Sequence, residues 1–297
     1  MATATTLPVL QASLLELIRV TSTVLPRDVV RAISAGQGQE EQGTNAAYAL
    51  DVIQCNIGMA KEKSQPLCQD TGSILVYVNA PVGYDLCAFE EAVIAAVKEA
   101  TTKGYLRQNS VDSVTGANSG NNIGPGTPDI HIHPWREDHV RVSLMLKGGG
   151  CENVGAQYTL PNAKFGGRDL QGVENAILDC VLQAQGQGCG PGILGVCIGG
   201  DRASGYAHSK TQLLRLLDDA NGDPVLGALE ERIVAKANQS GIGPMGFGGA
   251  TTLLGCKIGK LNRVPASFYV TISYMCWAFR RQGVNLSLGG EIGEWLY

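Results

Sequence analysis

Apolar residues recur at helical spacing through the first sixty residues of the chain. Leu10, Leu14 and Ile18, for example, fall on one face of a helix. The same spacing continues to about residue 61, with breaks where proline and glycine occur. The pattern predicts three helices within residues 7–63, which form a helical N-terminal part.

Strands and helices alternate in the rest of the chain. Apolar and polar positions alternate as in strands in "DIHIHPW" and "HVRVSLMLKG". Residues 73–79, "TLLGCKIGKL" and "FYVTISYMCWAF" also have the composition of strands, and "ILGVCIGG" that of a short buried strand. Helical spacing returns over 88–103, 170–188, "ASGYAHSKTQLLRLL" and "VLGALEERIVAKANQ". We therefore expect an α+β fold with mixed, largely antiparallel sheets flanked by helices. Because no Pro- or Ser-rich linker or charge run divides the chain, we expect a single large domain over 1–297.

Composition narrows the choice of partners and compartment. The net charge is -4 with a pI of about 5.6, whereas binding to nucleic acid requires a basic surface. No apolar run approaches the roughly 20 residues of a membrane span, and the N-terminus lacks the charge and apolar order of a signal peptide. We expect a cytoplasmic protein with no nucleic-acid or membrane partner.

Nine scattered cysteines form no CxxC pair, and three of them have distinctive surroundings. Cys68 occurs in "PLCQDTG", Cys189 in "GCGPG" and Cys276 in "YMCWAFRR". Each lies where regular structure gives way to a turn, so that a thiolate can point into a cleft and bind a metal. The alternative for each cysteine alone is a buried thiol in a tight turn.

Other candidate groups also have two interpretations. Asp70 is a general acid or base, or it caps its turn. Arg107 binds a carboxylate through its paired donors, or it forms a surface salt bridge. The stretch "KGGGCEN" at 147–153 offers backbone N–H groups to an anion, or it makes a tight bend. His131 and His133 share a strand face and could bind zinc, but no third ligand has suitable spacing, which favours a solvated or hydrogen-bonded pair.

Taken together and in order, these segments resemble the N-terminal (α) part of class I fumarases and L-tartrate dehydratases, which are iron–sulfur hydro-lyases. The resemblance extends over about residues 8–285. The matching stretches are "PLCQDTG" (66–72), "LRQNSV" (106–111), "KGGGCEN" (147–153), "GCGPGILGVCIGG" (188–200), "GIGPMGFGG" (241–249) and "PASFYVTISYMCWAFRR" (265–281).

The resemblance implies a cofactor. By position, Cys68, Cys189 and Cys276 would bind three irons of a 4Fe–4S cluster, and the fourth iron would have no protein thiolate. An iron with open sites can act as a Lewis acid on a substrate hydroxyl, which is otherwise a poor leaving group. The remaining six cysteines match no ligand position.

The resemblance also implies roles for groups beside the cluster. Asp70 would transfer a proton and Gln69 would hydrogen-bond the substrate. Arg107, with Gly148 and Gly149, would hold the second carboxylate of a C4 dicarboxylate. The expected reaction is the reversible hydration of fumarate to malate.

Two departures from the family pattern bear on partner and substrate. The chain ends at Tyr297, 21 residues after Cys276, whereas single-chain members continue into a second domain that completes the site. We therefore expect a separate β subunit, in an α2β2 complex. Val264 in "RVPAS" replaces a histidine that touches substrate in many members, and "GCGPG" replaces a commoner "CPP" pattern.

Alternatives remain open at this point. Within the class, the chain is a subunit of an L-tartrate dehydratase or a mesaconate hydratase. Outside it, the chain is a non-catalytic iron–sulfur sensor, although a sensor has no use for Asp70, Arg107 and the glycine loop. A zinc-binding module built on His131 and His133 is the third alternative.

Overall fold

The structure is a computed structural model that describes residues 7–297. Its helices are α1 (Leu7–Thr23), α2 (Arg27–Gln37), α3 (Asn45–Lys63), α4 (Leu86–Thr102), α5 (Gly149–Asn153), α6 (Leu170–Ala184), α7 (Arg202–Gln212) and α8 (Pro224–Asn238). Its strands are β1 (Ser73–Pro81), β2 (Asp129–Trp135), β3 (Val140–Lys147), β4 (Ala156–Thr159), β5 (Gly192–Gly199), β6 (Leu253–Leu261), β7 (Tyr269–Met275), β8 (Arg280–Leu286) and β9 (Ile292–Trp295).

The strands form two mixed sheets, which confirms the predicted α+β class. One sheet has the order β2-β1-β3-β8-β9 and the other has the order β4-β7-β5-β6. Only the β1–β2 and β5–β6 pairs are parallel among these neighbours, so the sheets are largely antiparallel as expected.

The chain divides into two compact units, each assembled from separate stretches of sequence. The first comprises the described residues up to Pro26 together with 55–148 and 280–297, and the second comprises 27–54 and 149–279. The larger arrangement as one domain over 1–297 stays a prediction.

The first unit is built on the five-stranded sheet. Helix α1 packs on α4 and against β3 and β8. Leu10, Leu14 and Ile18 of α1 are buried in its core, as the helical spacing predicts. By length and composition alone, the helical stretch over residues 7–37 could cross a membrane. In the structure these residues form two helices, and α1 is a core helix of the first unit.

Strand β8 was not predicted from the sequence. It begins with Arg280, Arg281 and Gln282, whose relative exposures are 1%, 0% and 3%. Such residues are rarely buried, so a polar stretch gives no strand signal. Its pairing with β3 sets Arg280 opposite Leu146, which brings the guanidinium to the end of β3 where Gly148 follows.

The second unit is built on the four-stranded sheet. Helix α7 packs on β5, β6 and β7, whereas α8 packs on β6 and α6. Four of the described helices begin at aspartates whose carboxylates accept first-turn N–H groups, as N-cap residues do. These residues are Asp85 for α4, Asp169 for α6, Asp201 for α7 and Asp223 for α8.

Candidate functional site

A cavity of about 550 Å³ lies in the first unit and is lined largely by polar side chains. The lining residues are Gln69, Asp70, Leu106, Arg107, Gln108 and Asn109. They come from the turn before β1 and from the loop after α4. Three residues predicted to contact substrate, Gln69, Asp70 and Arg107, therefore lie around one cavity.

Asp70 is held in a tight turn directly before β1. Its Oδ1 accepts the backbone N–H of Gly72 at 3.0 Å, so the turn-capping interpretation of Asp70 holds as well. Gly72 has a φ of +84°, and a Cβ there would lie 2.6 Å from the backbone of Lys147. Only glycine fits this position. The turn thus fixes one carboxylate oxygen of Asp70.

The backbone of Arg107 is held from two sides while its side chain is exposed at the cavity. Its N–H donates to Oγ1 of Thr71 at 3.2 Å. Its carbonyl accepts Nδ2 of Asn122 at 2.7 Å. The guanidinium is therefore presented from a fixed stretch of main chain.

Three residues that the sequence did not single out support this loop. Oδ1 of Asn122 accepts the backbone N–H of Asn109 at 2.8 Å, and Nδ2 of Asn109 donates to Thr71 at 2.9 Å. Asn122 and Thr71 are only 4% and 1% exposed. Asn122 lies in the glycine-rich stretch 118–128, and the excess of glycine there is the sequence signal that could have drawn attention to it.

Gly148 follows β3 and approaches Asp70. A Cβ at Gly148 would lie 3.0 Å from Oδ2 of Asp70 and 3.6 Å from Nη2 of Arg280. Arg280 also donates from Nη1 to the backbone carbonyl of Asp70 at 2.6 Å. Gly149 is exposed and begins α5 in the second unit. The structure therefore brings Gly148 to Asp70, and Arg280 is a further neighbour that local sequence patterns missed.

The three predicted cluster ligands fall in different parts of the fold. Cys68 lies in the first unit, partly exposed, two residues before Asp70. Cys189 and Cys276 both lie in the second unit, in turns after α6 and β7. The backbone N–H of Trp277 donates to the carbonyl of Cys189 at 3.2 Å. The turns that carry two of the predicted ligands are thus directly bonded.

Three of the other cysteines, Cys180, Cys197 and Cys256, are buried, and their thiols have raised pKa values. Burial raises the pKa of the Cys197 thiol to about 12, and burial with the nearby Asp179 carboxylate raises the pKa of Cys180 to about 12. Burial also raises the pKa of Cys256 far above its ordinary value. Since the thiolate is the metal-binding form, these three fit the interpretation as small buried side chains.

The described residues give no support to a metal site built on His131 and His133. Within residues 7–297, no group of three or more His, Cys, Asp or Glu side chains is arranged to hold a metal ion. His131 has other partners, since its Nε2 lies 3.0 Å from the Asp129 carboxylate and its ring stacks on Tyr77 at 4.8 Å. These contacts favour a structural role for His131, and the three-cysteine centre stays a prediction.

Val264 lies in the loop between β6 and β7 and is 66% exposed. The loop carbonyls are held by two arginines. Arg263 donates to the carbonyls of Val264 and Pro265, and Arg168 donates to those of Pro265 and Ala266. The Val264 side chain is therefore displayed from an ordered loop.

Comparison with known proteins gives one family. The family model described as "Fumarate hydratase (Fumerase)" matches residues 11–285. A "Putative fumarate hydratase class I" of Geobacillus stearothermophilus is 51% identical over 293 residues, which are 97% of this chain and 57% of that protein. This chain thus spans just over half the length of that relative.

Two tartrate dehydratase subunits are also similar to this chain. A "Putative L(+)-tartrate dehydratase subunit alpha" of Methanocaldococcus jannaschii is 30% identical over 93% of this chain and 97% of its own length. The "L(+)-tartrate dehydratase subunit alpha" of Escherichia coli is 28% identical over 88% of this chain and 85% of its own length.

Proposed function

The chain belongs to the fumarate hydratase (Fumerase) family, and from this premise we propose that it is the α subunit of a 4Fe–4S hydro-lyase that reversibly hydrates fumarate to malate. The observation that carries the proposal is the cavity lined by Gln69, Asp70 and Arg107. A dicarboxylate hydro-lyase needs a group that transfers a proton and groups that bind the substrate. The carboxylate, the amide and the guanidinium around this cavity can supply them.

Binding of the substrate falls to Arg107 and Gln69. The planar guanidinium of Arg107 presents paired N–H donors that match the two oxygens of a carboxylate. The Gln69 amide offers both a donor and an acceptor, so it can hydrogen-bond a second polar group of the substrate. Because Thr71 and Asn122 fix the main chain of Arg107, a bound carboxylate is oriented by the fold.

Proton transfer is assigned to Asp70. Loss of water from malate requires removal of a weakly acidic proton from the carbon next to the one that bears the hydroxyl, so a base must be placed beside it. Oδ1 of Asp70 accepts the N–H of Gly72 and Oδ2 faces the Gly148 backbone, and we assign the proton to this carboxylate. In the hydration direction the same carboxyl group returns the proton.

The cluster would be held by Cys68, Cys189 and Cys276. The donor set fits because thiolates are the ligands of such clusters, and because the turns of Cys189 and Cys276 are joined by the Trp277–Cys189 hydrogen bond. When bound, a cluster with one iron free of protein thiolate supplies a Lewis acid for the departing hydroxyl.

L-Tartrate is the second candidate substrate. Two relatives named as tartrate dehydratase α subunits are similar over most of their length. The relative named as a fumarate hydratase has the higher identity, 51%, and for this reason fumarate is preferred. Mesaconate, which is fumarate with one added methyl group, is the third substrate to assay.

A β subunit is the expected partner, in an α2β2 complex, and the cytoplasm is the expected compartment. The names of the two tartrate dehydratase relatives support the partner, since both are called subunit alpha. The β subunit would supply the groups that complete the site around the substrate.

The proposal is tested with anaerobically purified protein and the partner that co-purifies with it. Hydration of fumarate and mesaconate and dehydration of L-malate and L-tartrate are measured alongside iron and sulfide content. We expect turnover of fumarate and L-malate, with about four irons per chain. Iron and sulfide without turnover of any of these acids would favour a sensor and contradict the hydro-lyase proposal.

A further inference from the structure

We propose that Arg280 is a positioning residue, which holds the turn of Asp70 against Gly148 so that the Asp70 carboxylate is aligned for proton transfer. The inference rests on the proposed function and extends it to a residue on a distant strand. Arg280 and Asp70 are 210 residues apart in the sequence, and both lie in the first unit.

The two terminal nitrogens of the Arg280 guanidinium face different parts of the site, the Asp70 turn and Gly148. Nη1 donates to the backbone carbonyl of Asp70 at 2.6 Å, a short bond strengthened by the charge of the donor. Nη2 faces Gly148, since it lies 3.6 Å from the point that a Cβ of Gly148 would occupy. Oδ2 of Asp70 lies 3.0 Å from the same point. One guanidinium therefore contacts the turn of Asp70 and faces the glycine that its carboxylate approaches.

Because Arg280 is buried at the start of β8, its guanidinium is held in a fixed position. Arg280 is 1% exposed and begins β8, which pairs with β3. Burying a guanidinium is costly unless it is well bonded. Groups held on strands are placed more accurately than groups held on loops. Arg280 thus adds a hydrogen bond from β8 to the Asp70 turn, which β1 of the same sheet already holds at its other end.

Proton transfer requires the reacting group to be placed accurately, and for this reason the Arg280–Asp70 hydrogen bond matters. A displacement of about 1 Å in a reacting group can cost about 100-fold in rate. The Gly72 N–H holds Oδ1 of Asp70 relative to the turn. Arg280 holds the Asp70 carbonyl relative to β8, and so restricts the main chain from which the carboxylate extends.

Arg281 provides a matched control. It is the same residue type, it is adjacent in β8, and it is 0% exposed. Successive side chains of a strand point to opposite faces, and the Arg281 guanidinium lies over the Tyr297 ring with 4.7 Å between its Cζ and the ring centroid. The general cost of replacing a buried arginine of this strand by lysine is therefore measured by Arg281→Lys, which is matched to Arg280→Lys.

The test uses Arg280→Met, Arg280→Lys and Arg281→Lys in the anaerobic protein with its co-purified partner, with fumarate as substrate. We expect Arg280→Met to lower kcat about 100-fold with KM changed less than about threefold, since Arg107 and Gln69 still bind substrate. Arg280→Lys keeps one cationic donor, so its kcat is expected to be about tenfold higher than that of Arg280→Met. Arg281→Lys is expected to stay within about threefold of the unsubstituted protein in both constants.

A second measurement is independent of activity. Hydrogen–deuterium exchange of peptides covering 67–73, measured on the full chain, reports how firmly the turn is held. We expect exchange there to be about tenfold faster in Arg280→Met and unchanged in Arg281→Lys. Unchanged exchange in Arg280→Met, or a kcat no lower than that of Arg281→Lys, overturns the inference. Absence of hydratase activity in the unsubstituted complex contradicts the proposed function instead, and the exchange measurement then decides separately whether Arg280 holds the turn.

Discussion

The hydroxyl oxygen of Thr71 accepts the backbone N–H of Arg107 at 3.2 Å. This bond joins the turn that carries Asp70 to the loop that carries Arg107. Replacing Thr71 by Val keeps the shape of the side chain but leaves the N–H of Arg107 and the amide of Asn109 without this acceptor. We expect KM for fumarate to rise about tenfold, which corresponds to a loss of about 1.4 kcal/mol. Steady-state kinetics measure this, and Thr71→Ser, which retains the hydroxyl, is expected to stay close to the unsubstituted enzyme.

Asp70 and Arg107 are expected to affect different kinetic constants. Asp70→Asn removes the proton acceptor and should lower kcat about 100-fold or more at nearly constant KM. Arg107→Lys removes the paired donor geometry and should act mainly on KM, raising it about 10- to 100-fold. Both are measured with fumarate and L-malate. Equal effects of Asp70→Asn on substrate binding and turnover would contradict the assigned division of roles.

The cysteine assignment predicts which thiols retain iron. Serine at Cys68, Cys189 or Cys276 should abolish the visible absorption of the cluster and remove most of the about four irons per chain. Serine at Cys180 or Cys197 should leave both unchanged, because these thiols are buried in the fold and match no ligand position of the family. Iron and sulfide analysis under anaerobic conditions measures this. Loss of iron in Cys197→Ser, with iron retained in Cys68→Ser, would show that the ligands were assigned wrongly.

The glycines around Cys189 are predicted to be required by Tyr274. A Cβ at Gly192 would lie 2.3 Å from Cζ of the Tyr274 ring, which is 2% exposed. Gly192→Ala should therefore destabilise the fold by about 1–3 kcal/mol through overpacking. Tyr274→Leu relieves the clash, so the double variant should lose less stability than the sum of the two single variants. Urea unfolding of the four proteins measures the coupling, and strict additivity would show that the ring and the glycine do not restrict each other.

Asp219 is expected to make stability depend on acid pH. Burial alone would raise its pKa, but hydrogen bonds and charge from Arg215 and Lys257 outweigh this and lower the pKa below the ordinary 3.8. A carboxyl whose pKa is lower in the folded state stabilises the fold above its unfolded pKa, and this contribution is lost as pH falls through the folded pKa.

The matching variant is Asp219→Asn, which removes the charge and keeps the shape. At pH 6 we expect it to be less stable than the unsubstituted chain by about 2 kcal/mol, because Arg215 and Lys257 lose a charged partner. The difference should stay constant down to about pH 4 and shrink below it. Urea unfolding between pH 6 and pH 3 measures this. A difference that grows as the pH falls would contradict the sign of the shift.

Most helices and long strands could be predicted from the sequence because their apolar spacing is regular. The α1 positions Leu10, Leu14 and Ile18 are buried as their spacing indicates. Strand β8 could not be predicted, since Arg280, Arg281 and Gln282 have the composition of an exposed segment although they are buried. The short strands β4 and β9 contain only four residues each, which is too few for a clear alternation.

The candidate site could be predicted in part. Asp70 and Arg107 stood out by their own chemistry, and Gln69 stood out through the family resemblance of "PLCQDTG". Thr71, Asn122 and Arg280 did not, since their roles depend on side-chain bonds to main chain 36, 15 and 210 residues away. Such partners are chosen by the tertiary fold and leave no local pattern.

The parallel pairing of β1 with β2 has a consequence for how the cavity comes into being during folding. Parallel neighbours need a long crossover connection, and here that connection contains α4, Arg107 and Asn122. Non-local strand pairs form slowly, because the entropy of closing the intervening loop is lost before their contacts are gained. We therefore expect the cavity to form only together with this strand pair, so that a chain with its helices alone has no place to hold a dicarboxylate.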